Sequence, residues 1–215
     1  MEIKAYANME RGAVATPFTY SRVLGAHDVL VRLTHRSIAT GDVQFIDNAW
    51  GDTRYPLVPS HEMVGIVEQL GGDVTGLEPG DRVGIGFQLG ACFACEYCER
   101  GVEQLCQQQT VVGVNAFGGL AEHIVVDHRF AFRLPDALES AAAVPLFSSG
   151  LTVYSALRHA QLRATARVAV LGIGGLGRLA VQLSRTMGHE VAAVSRSRGK
   201  READSRARCG VHRWR

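Results

Sequence analysis

The stretch Val168-Ala169-Val170-Leu171-Gly172-Ile173-Gly174-Gly175-Leu176-Gly177 decides how this chain is read. A short, fully apolar run of strand length leads into G-x-G-x-x-G, and a helical pattern then extends from about Leu176 to Met187. Val191 to Val194 form the next apolar run. Strand, helix and strand joined by short loops make a βαβ unit, which requires a parallel sheet. Its glycines, Gly172, Gly174, Gly175 and Gly177 around Leu176, permit a tight turn and close backbone approach. The pyrophosphate of a dinucleotide would then rest on helix N–H groups. The alternative is an ordinary strand-to-helix turn. Where NAD-binding folds place an acidic residue at the end of the second strand, this chain has Ser195-Arg196-Ser197, with Lys200 close behind. A carboxylate would repel a 2′-phosphate, whereas these side chains can bind one, so NADP(H) is expected over NAD(H).

Upstream the period differs. Val29, Val31 and Leu33 alternate with Leu30, Arg32 and Thr34, as in a half-buried strand. Val64 to Val67 form another strand, closed by a turn at Gly71-Gly72-Asp73. Pro79-Gly80-Asp81 is turn chemistry, and Arg82 to Ile85 read as a strand after it. Segments 119–126 and 130–134 complete a glycine-punctuated β pattern that suits a small barrel. Helical character sets in near Ser140, through Ala141 to Ala143 and then Leu151, Val153, Tyr154 and Leu157. The expected domains are 1–150 and 151–203, followed by an off-pattern basic tail at 204–215.

Cys92-x2-Cys95-x2-Cys98-x7-Cys106 is the most specific local signal. Four thiolates supply a tetrahedral shell that saturates one Zn2+ and leaves no open position, so the expected role is structural. An iron–sulfur cluster and four reduced, unliganded cysteines are the competing readings.

Composition sets the outer limits. The 215 residues are 47% hydrophobic and 20% charged, enough for a real core in one or two domains. No apolar run reaches membrane-spanning length and no signal-peptide pattern opens the chain, so a cytoplasmic protein is expected. From Arg196 to Arg215 there are eight Lys/Arg against Glu202 and Asp204, a local +6, which leaves −4 on residues 1–195. That tail lacks zinc-finger spacing, heptads and aromatic interleaving, so neither a nucleic-acid nor a membrane partner is expected.

Taken together, "YPLVPSHEMVGIV" (55–67), "GDRVG" (80–84), the cysteine array, "PLFSSGLTVYSAL" (145–157), "GIGGLG" (172–177) and "SRSRGK" (195–200) resemble the zinc-containing medium-chain dehydrogenases. The likeness is strongest to the cinnamyl-alcohol-dehydrogenase-like branch and covers residues 1–203. It implies an α/β plus β chain: a GroES-like β-barrel catalytic domain followed by the first βαβ unit of a Rossmann domain. It also implies NADP(H)-dependent oxidation of alcohols or reduction of aldehydes, usually in a homodimer, with Thr152 near the nicotinamide. The family holds a catalytic zinc with a Cys in Cys-His-Ser/Thr-Asp, a His in Gly-His-Glu, and a Cys in Pro-Leu-Leu-Cys-Ala-Gly. Here those runs read Ala39-Thr40-Gly41-Asp42, Ser60-His61-Glu62 and Pro145-Leu146-Phe147-Ser148-Ser149-Gly150. Ala39 has no donor atom and the Ser148 hydroxyl is a poor zinc ligand, while Gly41 and Gln44 stand where the family has its proton-relay groups. Asp42, His61 and Glu62 remain, and a structural role is expected for them, with His61 hydrogen-bonded inside the barrel and Glu62 paired with a cation. Without a Lewis acid to polarise a carbonyl, ordinary alcohol oxidation is expected to be badly impaired, whereas hydride transfer to an already activated acceptor, such as a conjugated alkene or iminium, needs no metal.

After Ala203 the family pattern stops. Arg206-Ala207-Arg208-Cys209-Gly210 can be encoded CGC GCT CGG TGC GGA, and a one-base shift of those letters gives Ala-Leu-Gly-Ala and then Asp or Glu, the family's next turn. A frameshift near 204–206 is therefore expected. Much of the Rossmann dimer surface would then be missing, and a cofactor-binding relic without turnover is the rival functional reading.

Overall fold

The computed structural model describes residues 1–195 and, as backbone alone, the strand Gly210–His212. Two compact units divide between Phe147 and Ser148.

In the first unit, β1 (Glu2–Ala7) and β2 (Thr16–Ser21) form an antiparallel pair. Strict alternation along β1 buries Ile3, Ala5 and Ala7 against Val58 and Ala121, with Phe18, Tyr20 and Phe117 packed alongside. The chain continues through β3 (Asp28–Arg36), helix α1 (Thr40–Ile46), β4 (Met63–Leu70), β5 (Arg82–Ile85) and β6 (Gln88–Gly90). The short helix α2 (Glu96–Glu99), β7 (Thr110–Val111), β8 (His123–Asp127), β9 (Ala131–Arg133) and helix α3 (Ser140–Ala143) complete this unit. Five strands make an antiparallel sheet in the order β8-β3-β4-β5-β9.

Irregular register between β3 and β4, at Leu30/Val31 and at Leu33/His35, bends this sheet into a half-barrel. Gly65 sits at the second irregularity, where a Cβ would lie 2.4 Å from the Arg32 carbonyl oxygen. Period-two burial then points Val29, Val31, Leu33, Met63, Val67, Val83, Ile85 and Val126 into one core. The ring of Phe147 lies so close on β5 that a Cβ at Gly84 would fall 1.8 Å from it.

The second unit begins with helix α4 (Ser149–His159), which Ser148 precedes without a side-chain cap, so the helix starts slightly before the expected domain boundary. It continues with β10 (Arg167–Leu171), helix α5 (Gly175–Thr186) and β11 (Glu190–Val194). β10 and β11 pair in parallel, Arg167 opposite Glu190 through Leu171 opposite Val194, and the strand β12 (Gly210–His212) adds in parallel beside β11. Val170, Ile173, Val181 and Ala193 form the core between sheet and α5. Leu171, on the opposite face of β10, is 69% exposed. Among the described residues, no single helix is long and apolar enough to cross a membrane.

Candidate functional site

The four cysteines converge. Cys92 and Cys95 stand on the loop after β6, Cys98 on α2, and Cys106 just after a 3-10 turn at Glu103–Leu105. Sulfur–sulfur distances are 3.5 Å for Cys92–Cys106, 3.6 Å for Cys95–Cys98 and 3.9 Å for Cys92–Cys98, and all four sulfurs lie within 4.8 Å of one another. A tetrahedral ion with metal–sulfur bonds of about 2.3 Å requires sulfur–sulfur edges of about 3.8 Å. The donor set therefore fits one tetrahedral ion, whereas a multi-iron cluster needs its ligands farther apart. Backbone N–H groups of Cys92 and Gln108 donate to the Cys106 sulfur at 3.5 and 3.4 Å, as thiolate ligands require. Backbone donation, first from Ala94, draws the Cys92 thiol down to about 6, and burial pushes Cys98 up to about 12. Among the described residues, these four form the one group of three or more His, Cys, Asp or Glu side chains able to share a metal.

A second constellation lies at the start of α1. Asp42, 1% exposed, accepts the Ala39 backbone N–H at 2.8 Å and the Ser60 N–H at 2.7 Å, and its Oδ1 lies 2.8 Å from His61 Nδ1. The carboxylate thus caps the helix that carries it and fixes the imidazole by the same contacts. A Cβ at Gly41 would meet His61 Cε1 at 3.2 Å and Nε2 at 3.6 Å, so position 41 overlies the outer edge of the ring. Burial pulls the His61 pKa down, but the Asp42 hydrogen bond and charge, together with Glu62, leave it above the ordinary histidine value. Glu62 is buried, and its Oε2 accepts the Ser37 hydroxyl at 2.5 Å. Ser37 drew no role from the sequence, since only folding brings β3 and the segment before β4 together. At the head of the helix Ala39 presents a methyl group, which has no donor atom for a metal.

The glycine loop sits between β10 and α5. Gly172 has φ +89°, and its N–H donates to the Val194 carbonyl at 2.9 Å, which ties the loop to the second parallel strand. A Cβ at Gly177 would lie 2.0 Å from the Gly172 carbonyl oxygen, so this glycine is set by the helix–loop contact. Gly174 and Gly175 differ. Neither has a positive φ, and a Cβ on either would meet nothing within 4 Å among the described residues. Leu176 follows in the first turn of α5, 48% exposed. Thr152 is exposed in the first turn of α4, and its N–H donates to the Ser148 carbonyl at 2.8 Å. Ser195 is buried at the end of β11. Arg196, Lys200 and the frameshift expected at 204–206 lie outside the described residues.

Comparison with known proteins bears on this arrangement. Residues 25–136 match the alcohol dehydrogenase GroES-like domain. The chain is 38% identical over 209 residues to an NADP-dependent alcohol dehydrogenase C of Mycobacterium tuberculosis, covering 93% of this chain and 60% of that protein. It is 40% identical over 199 residues to the aldehyde reductase AdhA of Synechocystis, covering 92% and 59%. Among solved structures, a Helicobacter pylori CAD complexed with NADP(H) superposes with a TM-score of 0.93 at 27% identity, covering 99% of this chain and 64% of that one. A cinnamyl alcohol dehydrogenase of Sorghum bicolor gives 0.92 at 33% identity, covering 98% and 63%. The chain therefore spans about 60% of the length of the relatives it matches. A curled GroES-like sheet, a parallel strand–glycine-loop–helix unit and relatives of one kind lead to a single assignment: this chain belongs to the zinc-containing medium-chain alcohol dehydrogenase family, within its cinnamyl-alcohol-dehydrogenase-like branch.

Proposed function

We propose that this chain is the catalytic domain and the first nucleotide-binding unit of a cytoplasmic NADP(H)-dependent oxidoreductase acting on small alcohols, aldehydes or activated alkenes. In this reading it carries one structural zinc and a degraded catalytic zinc site. The observation that carries the cofactor reading is the pair Gly174 and Gly175, where neither backbone angle nor packing explains the missing side chains. A ligand phosphate resting on the helix N-terminus does explain them. The bound nicotinamide supplies or accepts a hydride. The chain's own share is positional: α5 presents its first N–H groups, Gly172 to Gly175 admit the pyrophosphate, and Ser195, Arg196 and Lys200 receive the 2′-phosphate. Thr152 is assigned to the nicotinamide side.

The degraded-site reading rests on the donors near α1. His61 is held through Nδ1 by Asp42, Glu62 is engaged by Ser37, and Ala39 offers no atom to a metal. A carbonyl substrate would then lack Lewis-acid polarisation, which favours acceptors already activated by conjugation. The rival reading is a cofactor-binding relic without turnover.

Calorimetric titration of the 215-residue chain with NADPH and NADH, followed by an NADPH-oxidation assay, tests both readings. Binding of NADPH at least about tenfold tighter than NADH, lost in Arg196→Ala, supports the phosphate assignment. Equal affinities contradict it. Robust cinnamaldehyde reduction would contradict the relic.

A further inference from the structure

The cysteine knuckle contains a strained residue that is not itself a ligand. Phe93, between Cys92 and Cys95, has φ +52°, a left-handed conformation that bulky residues rarely enter. The guanidinium carbon of Arg129 lies 3.3 Å from the centre of its ring. Arg129 belongs to a 3-10 turn, His128–Phe130, that joins β8 to β9. Asp127 fixes the guanidinium plane: Nε donates to Oδ1 at 2.8 Å and Nη2 to Oδ2 at 2.5 Å, while the Arg129 backbone N–H also donates to Oδ1 at 3.0 Å. The Phe130 ring packs against Phe93 as well, with centroids 5.9 Å apart.

We propose that Arg129 is a positioning residue for the four-cysteine metal site. Held by Asp127, its planar fork clamps the Phe93 ring and so keeps the Cys92-x-x-Cys95 turn in its ligating shape. Geometry rather than net charge carries the effect, because Asp127 neutralises the cation that faces the sulfurs. A lysine could supply the charge but not the stacked plane. The proposal rests on the reading of the four cysteines as a zinc site. Outer contacts of this kind shift metal affinity by about 10- to 100-fold where they have been removed.

The test is zinc release from the purified 215-residue protein into excess chelator, followed with a colorimetric indicator after zinc content has been measured. Arg129→Gln should release zinc about tenfold faster than wild type, and Arg129→Lys should behave like Arg129→Gln. Phe93→Gly both relaxes the backbone and removes the ring, so adding Arg129→Gln to it should change nothing further. Phe93→Leu takes its place if that variant does not fold. Unchanged release in Arg129→Gln, or the same tenfold effect in the Phe93→Gly background, overturns the clamp alone. A wild-type chain that carries no zinc overturns the cysteine reading and the clamp together.

Discussion

Replacing Ser60 by glycine should stabilise the protein. Ser60 is fully buried with φ +81°, a backbone conformation that side chains resist, and its Oγ has no hydrogen-bond partner among the described residues. Its N–H holds Asp42 at 2.7 Å, so the strained turn is also the one that fixes the Asp42–His61 pair. Glycine relieves about 1 to 1.5 kcal/mol of backbone strain and removes an orphan hydroxyl worth about 1 kcal/mol. Against this, the unfolded chain gains freedom worth about 0.7 kcal/mol, and about 0.5 kcal/mol of packing is lost with the methylene. The net is about 1 kcal/mol of added stability, or a Tm rise of roughly 2–4 °C for a chain of this size. Ser60→Ala removes the hydroxyl but keeps the strain and the methylene, so it should also gain about 1 kcal/mol and lie within about 0.5 kcal/mol of the glycine variant. Urea unfolding followed by circular dichroism reads all three, with an unchanged m value as the check that only stability moved. A glycine variant about 1.2 kcal/mol less stable than the alanine variant would refute the reasoning, because the lost packing and the freer unfolded chain would then stand with no strain relief to offset them.

The glycine loop separates packing from binding. Gly177→Ala drives a Cβ against the Gly172 carbonyl and should destabilise the second unit by about 2–3 kcal/mol in thermal unfolding. Gly175→Ala meets open space and should leave stability within about 0.5 kcal/mol while weakening NADPH binding, as titration calorimetry can show. The raised pKa of His61 means that the folded state holds its proton more tightly than the unfolded chain. The stability gained is complete below the unfolded value of about 6.5 and fades as pH rises through the folded one. His61→Asn should therefore cost more stability at pH 5.5 than at pH 8.5, and equal losses at both would contradict the Asp42 pairing.

Local signals account for what could be read before folding. Arg82–Ile85 is bounded by turn residues and recurs as a strand with the same limits, because its neighbours on both sides set its ends. The strand–glycine-loop–helix also carries its own instructions, and α5 begins within a residue of the expected start. The β1–β2 pair leaves only a faint trace in the sequence: Ile3, Ala5 and Ala7 alternate, but short strands near a terminus give a weak period. Contacts between distant residues were not legible. Asp42 meets His61 across 19 residues and Ser37 meets Glu62 across 25, so no spacing rule announces either pair. The stack of Arg129 on Phe93 is hidden for the same reason, since it depends on β8 returning beside the knuckle. Ser60 shows the converse limit: a serine in a left-handed turn looks ordinary until its backbone angle is known.

We propose that this chain keeps a four-sulfur metal site while the donors beside His61 do not make a second one. Zinc counting by mass spectrometry on the purified protein tests it most directly, with Cys106→Ser and His61→Asn measured in parallel. One zinc per chain, lost in Cys106→Ser and retained in His61→Asn, is the predicted result. Two zincs per chain, with one of them lost in His61→Asn, would contradict the account.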